Sequence, residues 1–180
     1  MLHGSAFNYK DKAIVIIGSS GSGKSESLNK IQNKNKIISD DILAIEFSDN
    51  NALCLTGLST LCIKSKNSLR NLDDKRQRSL EIIPDMLMVK NKLKISDIFF
   101  LNWGEANSIC EIDHTSSFKQ IILNSFRPIP TGACTETETF YMSSLTKLIA
   151  NTEQYIFKRR RGNINLSVEK LYEFLNTKYD

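Results

Sequence analysis

The segment Gly18-Ser19-Ser20-Gly21-Ser22-Gly23-Lys24-Ser25 follows directly on Ala13–Ile17, an unbroken apolar run rich in β-branched residues. Such a run is the pattern of a strand covered on both faces. A helix is expected after it, from about Lys24 to Lys34, with Leu28 and Ile31 on its inner side. A strand that breaks into glycine and resumes as a helix restricts the chain to an α/β arrangement. The spacing fits G-x-x-x-x-G-K-[ST] in the context that motif requires. Glycines let successive backbone N–H groups turn inward around an anion, and the helix N-terminus adds the positive end of its dipole. On this reading Gly18, Ser20, Gly21, Ser22, Gly23, Lys24 and Ser25 bind nucleotide phosphates. Lys24, expected at the loop surface, bridges the terminal phosphates, and the Ser25 hydroxyl ligates Mg²⁺. The competing reading is a flexible Gly/Ser turn, which the flanking strand and helix disfavour.

With 180 residues, 41% of them apolar and 24% charged, the chain suits one domain spanning 1–180. A net charge of +4 matches anionic ligands but does not choose between a nucleotide and nucleic acid. Cys54, Cys62, Cys110 and Cys134 form no CxxC pair and have no His cluster beside them, so buried free thiols are expected. No apolar run approaches the ~20 residues of a membrane span, and no signal peptide is recognisable. Reduced cysteines and use of ATP point to the cytoplasm.

Further strands are expected at Leu2–Phe7, Lys36–Ser39, Ile42–Phe47, Ala52–Leu55 and Leu61–Ile63, with a hairpin turn at Ser48-Asp49-Asn50-Asn51. Asn67–Arg78 reads as a solvated helix and loop. Ser96–Asn102 is a strongly buried strand, with Ser108–Ile112 as its hairpin partner beyond Gly104. Helices at His114–Phe126 and Glu138–Asn151, a strand at Gln154–Lys158 and a helix at Ser167–Asn176 complete the pattern. The expected fold is α/β with a mixed sheet, richer in antiparallel pairs than a doubly wound one.

Asp40-Asp41 lies at the end of a short strand. Neighbours on an extended chain point to opposite sides, so one carboxylate can face phosphates and metal while the other faces elsewhere. Such a carboxylate can hold Mg²⁺ or accept a proton from an attacking hydroxyl; an Asx-type turn or helix cap is the plainer alternative. His3, followed by Gly4, is the remaining early candidate, and a lone histidine is more often structural.

Leu2-His3-Gly4, the loop continuing as Gly23-Lys24-Ser25-Glu26-Ser27, and Ser39-Asp40-Asp41 together resemble the HPr kinase/phosphorylase catalytic domain. That family's phosphate loop and fold are related to those of phosphoenolpyruvate carboxykinase. The likeness is greatest to the HPr-kinase-like branch that includes peptide-tailoring kinases of lasso-peptide pathways. Asn124-Ser125-Phe126-Arg127-Pro128 and the Ile98–Leu101 strand resemble that branch as well. The resemblance implies a single P-loop domain using ATP and Mg²⁺. It implies a nucleotide site that includes Glu26, and His3, Asp40 and Asp41 at the transfer centre. Asp40 is then the proton acceptor, and Asp41 is held near His3 and the metal. Family members usually carry a further N-terminal region, so a trimmed or minimal form is expected, with substrate docking and any hexamer left open. No signature for dephosphorylation is evident around Ala52–Ile63, and phosphorylase activity is not carried over.

Arg127 can stabilise charge on a transferred phosphoryl or cap a helix end. Lys158-Arg159-Arg160-Arg161 reads first as a solvated strand end, with an acidic peptide or nucleotide phosphate as its functional alternative. Glu46 can reach the metal or face away from it. Trp103 and His114 are expected to pack or cap. The leading function is an ATP-dependent kinase acting on a hydroxyl, a serine of a peptide or protein. A small-molecule kinase acting on free serine, or a nucleotide-binding regulatory module, stands as the alternative. An ABC-type ATPase lacks support: neither a Leu-Ser-Gly-Gly-Gln-like signature nor an apolar strand ending in Asp-Glu is present. Aromatic residues do not interleave with the basic run, so nucleic acid is not the expected partner. No membrane association is expected, and a homo-oligomer is compatible with the sequence.

Overall fold

A computed structural model describes residues 1–48, 51–58, 60–64, 78–125 and 135–180, with backbone alone at 62–64, 78–80 and 135–137. Arg127, Cys134 and nearly all of the 67–78 stretch lie outside the described residues. Strands β1 (Leu2–Tyr9) and β2 (Lys12–Ile17) form a hairpin whose turn places Lys10 and Asp11 at φ 46° and 59°. Helix α1 (Lys24–Ile31) follows the glycine loop and ends earlier than the sequence pattern implies. Four short strands come next: β3 (Ile37–Ser39), β4 (Ile42–Leu43), β5 (Ile45–Ser48) and β6 (Asn51–Cys54). β7 (Thr60–Lys64) and β8 (Arg78–Ile82) form a separate two-stranded ribbon, and β8 was not anticipated from the sequence. The long β9 (Leu93–Gly104), β10 (Ser108–Glu111), helices α2 (His114–Leu123) and α3 (Thr135–Ala150), β11 (Glu153–Arg160) and α4 (Ile164–Tyr179) complete the order.

The main sheet runs β10-β11-β9-β2-β1-β3. β2 and β11 each pair with β9 in parallel, whereas the pairings of β1 with β2 and β3, and of β10 with β11, are antiparallel. This is the mixed α/β sheet expected, with one correction: β10 pairs with β11 and not with β9. β11 inserts between them because it returns parallel to β9 over the full span from Glu153↔Asp97 to Arg160↔Gly104. Alternation then sorts the core into two halves. Ala13, Val15, Ile17, Ile98 and Phe100 face α2 and α3, where Ile121, Leu145 and Leu148 cover them. Ile14, Ile16, Phe99, Leu101, Tyr155 and Phe157 face Leu28 and Ile31 of α1 and Leu171 and Leu175 of α4. Each fully buried Val, Leu, Ile or Phe among them contributes roughly 1.5–3 kcal/mol. Caps fix the helix starts: Asp113 accepts from the Ser116 N–H at 2.9 Å, and Asn163 from the Leu166 N–H at 3.2 Å. Among the described residues no helix is long and apolar enough to cross a membrane. Cys54 is buried with a free thiol, its pKa pushed up to about 12 by burial, and Cys110 is free and exposed.

Candidate active site

Three parallel strands end at one edge of the sheet, and an antiparallel one begins there. Register places Ile17 beside Phe100 and Arg159 beside Trp103, so β9 and β11 outrun β2. Gly4 lies opposite Ile17, which brings the N-terminal end of β1 to the same edge. Ligands of open α/β sheets bind outside such carboxyl ends. The glycine loop sits there by construction.

Within the loop, the Ser22 N–H donates to Ser19 O at 3.1 Å, and Gly21 and Gly23 take φ values of 81° and 92° that favour glycine. A Cβ at Gly18 would meet Leu101 O and Ser22 Oγ, each at 2.9 Å, so only glycine lets the strand turn there. Ser22 Oγ is buried and has no hydrogen-bond partner among the described residues. Lys24 is not at the surface as expected but 6% exposed. Its ammonium donates to Gly18 O at 2.7 Å and Ser19 O at 3.3 Å, because the side chain folds back along the loop it follows. Ser25 and Glu26 are half-buried in the first turn of α1, and Ser20 is exposed.

The Lys24 ammonium also lies 3.1 Å from His3 Nε2. An ammonium only donates, so Nε2 accepts and the ring carries its proton on Nδ1. Nδ1–H faces Asp41, 3.1 Å from its carbonyl oxygen and 3.2 Å from Oδ1. A carboxylate, an imidazole and an ammonium thus form a continuous chain to the mouth of the loop. Asp41 holds φ at 66°, a left-handed conformation uncommon outside glycine, and its carbonyl accepts from the Gly4 N–H at 3.2 Å. The alternation of an extended chain does not hold across this pair, because Asp41 turns left-handed. Asp41 is exposed, whereas Asp40 is buried and accepts a 2.6 Å bond from Ser5 Oγ. Ser5 was not singled out from the sequence. The signal was there, since β-alternation puts it on the same face as His3.

Beside Gly18–Ser20 lies a cavity of about 390 Å³, lined also by His3, Asn102, Gln120 and Asn124. On the opposite flank of the loop, Arg159 is only 7% exposed and packs its guanidinium over Trp103 at 4.5 Å. The basic run is therefore not wholly a solvated strand end. Arg159 continues the inward row Tyr155–Phe157, while Lys158, Arg160 and Arg161 are exposed. Glu46 is exposed and paired with Lys92 at 2.7 Å, and His114 is the first residue of α2. Among the described residues no group of three or more His, Cys, Asp or Glu is arranged to hold a metal by itself.

No protein-family model and no curated relative matches the sequence. A solved structure does: the Hpr(Ser) kinase/phosphatase from Coxiella burnetii aligns with 98% of this chain and 95% of its own, with a TM-score of 0.53 and 14% identity. The chain has a mixed α/β fold like that of the HPr(Ser) kinase/phosphatase. At that identity the likeness is one of fold.

Proposed function

We propose that the chain is an ATP-dependent kinase that transfers the γ-phosphoryl group to a serine hydroxyl of a peptide or protein. The carrying observation is the Asp41–His3–Lys24 chain, with contacts of 3.2 and 3.1 Å, at the mouth of the glycine loop. The loop suits a nucleotide: Ser22 Oγ is a buried hydroxyl without a partner among the described residues, and Gly18 leaves no room for a side chain. Gly18, Ser20, Gly21, Ser22, Gly23, Lys24, Ser25 and Glu26 hold the phosphates. Ser25 and Asp41 would hold Mg²⁺, which would neutralise charge on the terminal phosphates.

Asp40, fixed by Ser5, takes the proton of the attacking serine. The serine oxygen bonds to the γ-phosphorus as the bond from that phosphorus to the β-bridging oxygen breaks, and ADP leaves. Lys24 meets the charge that grows on the bridging oxygen, and His3 keeps Asp41 in register with Lys24. Arg127 is assigned to the transferred phosphoryl. The cavity beside Gly18–Ser20 admits the acceptor, whose backbone can be met by the amides of Asn102, Gln120 and Asn124. The exposed Arg160 and Arg161 favour an acidic or carboxylate-bearing peptide. We take 1–180 as one catalytic domain working in the cytoplasm.

Incubation with γ-labelled ATP and Mg²⁺, with serine peptides and free serine offered separately, tests this reading. Label on a peptide serine is the expected result. Label on free serine alone makes the chain a small-molecule kinase, and nucleotide binding without transfer makes it a regulatory module; either outcome overturns the proposal.

A further inference from the structure

We propose that Arg159 is a second cationic contact for the ligand of the glycine loop, held on the Trp103 ring so that its guanidinium meets the polyphosphate from the α1 side. The inference rests on the nucleotide reading of the loop and adds a residue to it. β9 and β11 lie side by side in parallel with Trp103 opposite Arg159, and both continue apolar rows that face α1. The guanidinium therefore arrives over the start of that helix, in the space a Cβ of Gly23 would fill. Gly23 does two things here: it takes a φ of 92° and leaves the volume that Arg159 occupies.

The surroundings of this cation are unusual. Nη1 donates to Ser27 Oγ at 3.4 Å, and Nε is buried with no hydrogen-bond partner among the described residues. Burial holds the guanidinium's pKa below its ordinary value, and the neighbouring Glu26 charge offsets only part of this. The site also lies at the positive end of the α1 dipole, where a cation is disfavoured and an anion welcome. Buried charges are normally paired. Two buried groups without a hydrogen-bond partner among the described residues, Ser22 Oγ in the loop and Arg159 Nε of β11, thus flank Gly23. A bound polyphosphate supplies acceptors to both and reverses the sign of the local field. Trp103 provides the plate, with Arg161 also over its ring at 5.1 Å. An arginine serves here better than a lysine, since its planar fork both stacks and donates along an edge.

Trp103 is the sole tryptophan of the chain, so intrinsic fluorescence reports this contact directly. The test titrates the full chain with ATP–Mg²⁺ and, separately, with inorganic pyrophosphate, by calorimetry and by indole emission. Both ligands are expected to bind the wild type and change the emission. Arg159→Gln is expected to weaken both by about 10- to 100-fold, the loss of a charge-assisted hydrogen bond, and to remove the emission change. Arg159→Lys should recover only part of the affinity. Should Arg159→Gln fail to fold, Trp103→Leu releases the plate and is expected to weaken pyrophosphate binding in the same direction. Unchanged affinity for both ligands in folded Arg159→Gln overturns the proposal. So does a loss confined to ATP with pyrophosphate binding intact, which would move Arg159 to the nucleoside. If Lys24→Met abolishes binding while Arg159→Gln does not, the nucleotide reading stands and this one falls. If the wild type binds neither ligand, both fall.

Discussion

Ser5 Oγ donates a 2.6 Å hydrogen bond to Asp40 Oδ1, and both residues are buried at the sheet edge that carries the glycine loop. The bond fixes one oxygen of the carboxylate assigned as proton acceptor. Ser5→Ala removes that donor in a place that water scarcely reaches. Urea unfolding should show a loss of about 1.5–3 kcal/mol, the worth of a hydrogen bond to a charged group. Turnover should drop while ATP–Mg²⁺ affinity holds. Unchanged stability and turnover together would remove Ser5 from the site.

Lys24→Met deletes the ammonium that joins Gly18 O, Ser19 O and His3 Nε2. Binding of ATP–Mg²⁺ should fall by more than about tenfold, because a charge-assisted contact to phosphate is lost. The fold should survive, since the apolar stem of methionine still fills the place of the lysine stem. Calorimetry on the folded variant decides it, and wild-type affinity would end the nucleotide reading.

Asp97 is wholly buried and receives bonds from Lys178 and Tyr179, which tie the end of α4 to the middle of the sheet. Burial works against the charge of Lys178, but bonds to Asp97, Tyr155 and Glu153 outweigh it and raise the pKa. Burial, aided by hydrogen bonds to Glu153 and Asp97 respectively, pushes Tyr155 and Tyr179 up to about 12. In all three the folded state keeps a proton that the unfolded chain releases near its ordinary value. Stability is therefore full below the unfolded values and falls as pH rises from about 10 toward 12. Urea midpoints at pH 9, 10 and 11 should hold from pH 9 to 10 and then decline in the wild type, less so in Lys178→Met. That variant should itself lose about 3–5 kcal/mol at neutral pH, having removed the cation that balances the buried Asp97 carboxylate. Parallel pH profiles for the two proteins would refute the linkage.

The loop, its strand and its helix were legible because their signals are local: a β-branched run, glycines at fixed spacing, then Leu28 and Ile31 on a helical period. Non-local pairing carries no such mark. Ser108–Ile112 reads as a hairpin partner for the strand before it, yet β11 arrives from far along the chain and takes the place beside β9. The same parallel pairing buries Arg159 within a run of charges that otherwise stays solvated. Its inward row, Tyr155–Phe157–Arg159, alternates with the outward Lys158 and Arg160, and that period of two was the available clue. The left-handed turn at Asp41 was less legible, since the Gly4 N–H that holds its carbonyl comes from a distant strand.

The adjacent aspartates give the sharpest test of how the site divides its work. Asp40 is buried against Ser5, and Asp41 is exposed and joined through His3 to Lys24. If Asp40 accepts the hydroxyl proton, Asp40→Asn removes a base without removing a phosphate contact. The rate should then drop by roughly 10²–10⁴-fold, with ATP–Mg²⁺ affinity nearly normal. If Asp41 serves the metal and positions His3, Asp41→Asn should weaken Mg²⁺-dependent binding, and its defect should shrink as Mg²⁺ is raised. His3→Gln should share part of that binding defect, because it breaks the link from Asp41 to Lys24 while leaving Asp40 in place. Steady-state kinetics at several Mg²⁺ concentrations, beside calorimetry of ATP–Mg²⁺ binding, separates the two behaviours. Collapse of binding in Asp40→Asn, with Asp41→Asn binding normally and losing only rate, would exchange the two assignments.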